Sequence, residues 1–250
     1  MRNTTGAGNT GLGVISLFSN TTGIDNTATG IQSLYSNTTG DYNTALGAEA
    51  LYANTTASYN TALGWESLNS NTTGENNSAV GYRSMWSNTT GKENTAFGTD
   101  ALYSNTTGGT NVAIGQESLY NNTTGFQNVA IGYGALYSNN GGYNVGIGTL
   151  ALYNNTGGNF NTAIGQSSLQ YNTTGSNNAG LGHESLNHNT TGEENVALGY
   201  QALYHNTTAS YNSALGRGAL FANSTGYENT ASGYRAMYKN STGYYNTATG

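Results

Sequence analysis

An Asn that opens the phrase "NTALG" or a close variant recurs at 9, 26, 43, 60, 77, 94, 111, 128, 144, 161, 178, 195, 212, 229 and 246. Every step is seventeen residues except one of sixteen, at 138–143, where "SNNGGY" replaces the usual "SNTTGxx". A phrase this short holds one strand and one or two turns, too little to bury a core by itself. Stacked copies can bury one, so the expected architecture is a solenoid. No linker or change of composition interrupts the phrase, and residues 1–250 read as a single uncapped repeat array.

Counting positions from that Asn, position 5 is Gly in every copy from Gly13 to Gly250, which points to positive φ or a close neighbouring backbone. Position 9 is always Leu or Met (Leu51, Met85, Leu136) and is the surest core site. Position 8 is Ser or Ala and position 3 is Ala or Gly, as expected where a larger side chain would clash. Position 4 is mostly aliphatic or aromatic (Leu46, Phe97, Ile114) and position 2 mixes Thr with Val. Apart from Arg2 and Arg217, every Lys, Arg, Asp and Glu falls at positions 7, 11, 16 or 17, which are therefore assigned to solvent. Position 7 runs Glu49, Glu66, Arg83, Asp100, Glu117 in successive copies, so Arg83 meets acids if copies stack.

"NVAIG" (111–115) alternates like a short strand, with positions 2 and 4 on one face and Ala on the other. "QESLYNN" (116–122) suits either one helical turn or a second short strand, and "NTTG" reads as a turn. Asn stands at position 1 in every copy and at position 12 in every copy. Stacked strands lie about 4.8 Å apart, a spacing at which Asn amides hydrogen-bond from copy to copy. Two Asn ladders that satisfy backbone groups at the corners are expected, in a rod about 70 Å long. The core would be thin, one Leu and one or two further apolar residues per coil, which fits a narrow monomeric solenoid or a shared trimer core.

Composition rules out several classes. With 37 Gly, 20 Tyr, no Pro, no Cys and only 7% charged residues, the chain lacks the charge-rich, aromatic-poor signature of disorder. A net charge of -6 spread along the chain leaves no nucleic-acid footprint. No apolar run approaches the roughly 20 residues that span a bilayer, and the N-terminus lacks the apolar region of a secretory signal. A GxGxxG match at Gly6, Gly8 and Gly11 has no preceding strand and no βαβ context. "HESLNH" (183–188) lacks the i, i+4 spacing of a zinc helix, although His188 and His205 share position 11 in adjacent copies and are placed to stack. No cofactor, metal or catalytic constellation is expected, and the chain does not read as an enzyme.

Three surface features remain. "NTT" or "NST" matches the N-glycosylation acceptor in almost every copy, and is read as turn chemistry. Adjacent Thr pairs suggest an ice-binding array only weakly, because such arrays favour alternating Thr on a flat strand. Position 10 carries an aromatic stripe, Tyr35, Tyr52, Trp86, Tyr103, Tyr120, Tyr137, Tyr153, Tyr204 and Tyr238, as a candidate for carbohydrate binding or packing.

The "NVAIG" and "NTALG" strands, each followed by small residues, resemble the head repeats of trimeric autotransporter adhesins. The longer phrase "NTAxGxxALYSNTTG" is similar to Asn/Thr/Gly repeats of phage and bacterial tail-fibre-type proteins. The resemblance implies a left-handed parallel β-roll and a trimer. The expected fold is thus all-β, a parallel β-solenoid of about fourteen seventeen-residue coils. The chain begins and ends within the phrase, which fits a fragment of a longer fibre or head-to-tail stacking into a filament. The leading expectation is a structural fibre or filament subunit, extracellular or at a cell or virion surface, whose partner is itself. An adhesin or receptor-binding shaft for glycans or surfaces is the alternative, and ice binding is third.

Overall fold

The computed structural model describes residues 4–250, which form two compact units, the first up to Phe126 and the second Gln127–Gly250. Each unit is a parallel β-solenoid. The first contains β1 (Thr10–Leu12), β2 (Thr27–Thr29), β3 (Thr44–Leu46), β4 (Thr61–Leu63), β5 (Ser78–Val80), β6 (Thr95–Phe97) and β7 (Val112–Ile114). The second contains β8 (Val129–Ile131), β9 (Val145–Ile147), β10 (Thr162–Ile164), β11 (Ala179–Leu181), β12 (Val196–Leu198), β13 (Ser213–Leu215), β14 (Thr230–Ser232) and β15 (Thr247–Thr249). Within a unit, each strand pairs in parallel with the equivalent residues of the next coil, as in Thr44↔Thr61, Ala45↔Ala62 and Leu46↔Leu63.

The interior is narrow, and small residues fill most of it. Leu at position 9 is fully buried, as at Leu51, Leu102 and Leu169, and Met85 takes the same place. Most further apolar residues of the core are Ala at positions 3 and 8, such as Ala96 and Ala101, with Ala57 and Ala209 at position 15. At two of the Gly that stand at position 3 the space is already taken: a Cβ on Gly180 would lie 2.6 Å from Ser168 Oγ and one on Gly146 3.2 Å from Ala151 O. The aliphatic side chains at position 4 point the other way, out of the coil: Leu46 is 51% exposed and Leu198 44%.

Positions 6–12 form neither of the elements considered for them. Among the described residues there is no helix, and this segment is a chain of turns. Its backbone enters the left-handed region at positions 7 and 9, with φ of 56° at Glu117 and 51° at Leu119. Position 17 does the same, with φ of 61° at Tyr59. Such conformations cost roughly 1–2 kcal/mol per non-Gly residue. They persist because the turned N–H groups bond to neighbouring coils. Leu102 N donates to Ser118 O at 2.9 Å, Ser104 N to Tyr120 O at 2.9 Å, and Glu117 N to Thr99 O at 3.0 Å. A right-handed helical turn would direct those donors back along its own coil and leave the stack unbonded here.

Position 5 meets both conditions read from its invariant Gly. At Gly98 φ is +143°, and a Cβ there would come within 2.6 Å of Gly115 O in the next coil.

Both Asn ladders form, and both are buried. At position 1, Asn111 N and Asn111 Nδ2 donate to Asn94 Oδ1 of the preceding coil at 3.0 and 3.1 Å. At position 12, Asn105 Nδ2 donates to Asn88 Oδ1 at 2.8 Å. The ladders meet at the position 15 carbonyl, since Gly108 O accepts from Asn94 Nδ2 and from Asn105 Nδ2, each at 2.9 Å. The sixteen-residue copy keeps this node. Asn128 and Asn139 both donate to Gly141 O at 2.9 Å, and the missing residue is taken from the turn between Asn139 and Gly141. The register across it stays intact, with Val129↔Val145 and Ile131↔Ile147.

Candidate interaction surfaces

Because Ala at position 3 faces inward, positions 2 and 4 of every strand face outward. The result in each unit is a sheet face with two rows, Thr, Val, Ser or Ala at position 2 and mainly Leu, Ile, Val or Phe at position 4. In the second unit position 4 is aliphatic in six successive strands, from Ile131 to Leu215, before changing to Ser232 and Thr249. No charged residue occurs at positions 1–5 in any copy. Where Leu215 gives way to Ser232, the step in side-chain size leaves a shallow groove of about 330 Å³, lined by Val196, Leu198, Leu215, Thr230 and Ser232 among others.

The rows that flank this face are aromatic or charged. Position 6 carries Trp65, Tyr82, Tyr133, Tyr200 and Tyr234, and position 17 carries Tyr42, Tyr59, Tyr143, Phe160 and Tyr211, all exposed. Several stack on their neighbours, for example Tyr42 on Tyr59 at 5.2 Å and Tyr143 on Phe160 at 4.8 Å between ring centroids.

The position 10 stripe is half-buried throughout. Within each unit its rings stack nearly parallel, as in Trp86–Tyr103 at 5.5 Å and Tyr103–Tyr120 at 5.1 Å, or Tyr137–Tyr153 at 4.8 Å. Tyr35 stacks on Tyr52, while Tyr204 and Tyr238 sandwich Phe221. Ring faces are therefore covered by other ring faces, and edges are what the stripe presents outward. The rings hold one another by packing, and the buried Trp86 Nε1 has no hydrogen-bond partner. At the interruptions amides replace rings: Asn187 Nδ2 donates to Ser167 O at 2.8 Å and Asn69 Nδ2 to Glu49 O at 3.2 Å.

The charged positions lie towards the surface, and two ion pairs join neighbouring coils. Arg83 Nε bonds Asp100 Oδ1 at 3.0 Å, with its guanidinium over the Tyr82 and Tyr103 rings, and Lys92 Nζ bonds Glu75 Oε2 at 3.0 Å. Burial raises the Tyr120 phenol above its ordinary range, and nearby Asp100 adds to this. His188 and His205 are neighbours as their shared position implies, 5.4 Å apart and tilted by 38°. Burial, reinforced by His188, lowers the proton affinity of His205. Among the described residues, no group of three or more His, Cys, Asp or Glu is placed to hold a metal ion.

The Thr and Asn of "NTT" have structural tasks. Position 13 hydroxyls donate to the next coil, as Thr89 Oγ1 does to Thr106 O at 3.0 Å. The acceptor Asn of this motif is the buried position 12 ladder residue, so a glycan on Asn88 or Asn105 is incompatible with the folded coil.

These features define a parallel β-solenoid repeat protein with an interior amide scaffold and an uncharged outward strand face. No family model, curated protein or solved structure matches the chain. Among the described residues, no helix is long and apolar enough to cross a membrane.

Proposed function

We propose that this chain is a structural fibre or filament subunit that works outside the cell or on a cell or virion surface. The observation that carries the reading is the pair of buried Asn ladders meeting at the position 15 carbonyl, repeated with one geometry along both units. Such a scaffold fixes each coil against the next through side chain and backbone together, which suits a load-bearing shaft. In this reading the chain is not an enzyme and its main partner is itself. Negative-stain electron microscopy at neutral pH tests it. Long uniform fibres support a filament subunit; compact particles with no elongated form overturn it.

A glycan- or surface-binding shaft is the second reading, favoured by the exposed rings of Trp65, Tyr59 and Phe160 beside the strand face. A glycan array tests it, with specific binding abolished by Trp65→Ala as the supporting result. Ice binding is a third reading. With the position 13 hydroxyls spent on carbonyls, it would have to use outward pairs such as Thr27 and Thr29, and a freezing-hysteresis assay tests it.

A further inference from the structure

We infer that the outward strand face is a contact surface for a second copy of this chain, packed sheet to sheet. A contiguous uncharged apolar face exposed to water is unusual on a monomeric protein, and the second unit offers one across six successive strands. Its layout matches the anatomy of protein interfaces: a charge-free centre at positions 2 and 4, bordered by aromatic residues such as Tyr133, Phe160 and Tyr200 and by charges such as Glu194 and Arg217. Counting positions 17, 2, 4 and 6, those six coils present about two dozen outward residues, against roughly 20–30 per side in a standard interface.

The choice of a second copy rests on spacing and chemistry. The rows of position 4 side chains repeat at the strand separation of about 4.8 Å. Another copy carries the same repeat, so its ridges fall between these at every coil, and the central rows at positions 2 and 4 bring no charge that must lose its hydration. An ice lattice asks for uniform projections, whereas position 4 varies between Val80, Phe97, Ile114 and Leu181. An anionic membrane would meet a chain of net charge -6.

The inference deepens the fibre reading by naming the surface that joins copies, and it fails separately. A discrete oligomer that never forms fibres keeps the face and removes the fibre. Fibres that persist after the face is charged do the reverse.

The test is sedimentation velocity at tens of micromolar on the full chain and on the triple variant Ile131→Lys, Ile164→Lys, Leu198→Lys. These side chains point outward (36%, 39% and 44% exposed), away from the buried Leu, Ala and Asn of the interior. A dimer for the natural chain and a monomer with unchanged circular dichroism for the variant are the expected results. A monomeric natural chain, or a folded variant that assembles as before, overturns the proposal. Because the chain has no Cys, single-Cys labelling gives a second readout that needs no Lys variant. Ile164→Cys should react with a maleimide at least ten-fold more slowly than Thr174→Cys, which lies in the exposed turn. Equal rates overturn the proposal.

Discussion

The side-chain oxygen of Asn26 accepts two hydrogen bonds from Asn43, one from its backbone N–H at 2.9 Å and one from its Nδ2 at 3.0 Å. Asn43 Oδ1 then serves Asn60 N in the same way at 3.0 Å. A single side chain thus satisfies a buried backbone donor of the next coil as well as a buried amide, which explains why no other residue type stands there.

Replacing one rung should therefore cost more than one hydrogen bond. In Asn94→Leu the buried N–H of Asn111 loses its acceptor, and the expected loss is about 2–4 kcal/mol. Urea unfolding followed by amide hydrogen exchange measures it, with exchange rising first in the coils around 94–111. A loss under about 0.5 kcal/mol would show that the ladder is dispensable.

Backbone conformation predicts two changes of opposite sign. Gly98→Ala places a Cβ against Gly115 O at φ +143° and should destabilise by about 2–3 kcal/mol or more. Glu117→Gly relieves a left-handed Glu at φ 56° and should be neutral or stabilising by up to about 1 kcal/mol. The chain already places Gly134 and Gly218 at that position, at φ 59° and 65°. Thermal unfolding of the two variants side by side settles the signs.

Tyr103 lies between Trp86 and Tyr120 and under the Arg83 guanidinium. Tyr103→Asn removes both stacks, for a loss of about 1–3 kcal/mol. In a Trp65→Phe background, Trp86 emission should shift towards that of solvent-exposed indole. An unchanged spectrum would mean that the rings do not cover each other in solution.

His205 predicts a pH dependence. Burial, then His188, lowers its proton affinity in the folded chain. The unfolded chain therefore binds more protons as pH falls through about 6.5. Stability is full above that value and is lost as pH falls towards the folded one. The unfolding midpoint should be lower at pH 5.5 than at pH 7.5, and His205→Gln should remove most of that difference. The same drop in the variant would assign it elsewhere.

The coil period, the buried Leu, the clash-limited Ala positions and both Asn ladders were legible because they repeat. A repeated Asn at stacking distance has few physical uses, and a repeated Gly at position 5 has fewer. The left-handed Glu117, Leu119 and Tyr59 were not legible, since none of these residue types favours that conformation. It is imposed by donors that must reach neighbouring coils, a long-range demand absent from any local stretch. The direction of the strand was legible only through the size limit at position 3. Alternation separates Thr95 and Phe97 from Ala96, and the interior, filled by Leu102, Asn94 and Asn105, has room only for the Ala. The aromatic stripe was legible as a stripe, while the face-to-face stacking that covers its rings depends on side-chain orientations set between coils.

The direction of the two ladders has an electrical consequence. Asn43 donates to Asn26, and Asn54 to Asn37 at 2.9 Å, each later coil giving to the one before. The carboxamide dipoles in both columns therefore align within a unit, and each dipole polarises the next. In these columns the two faces of a coil are chemically unlike, one offering amide hydrogens and the other side-chain oxygens. Such a stack has a sense, like an arrow, and any copy laid beside it meets either a parallel or an opposed field.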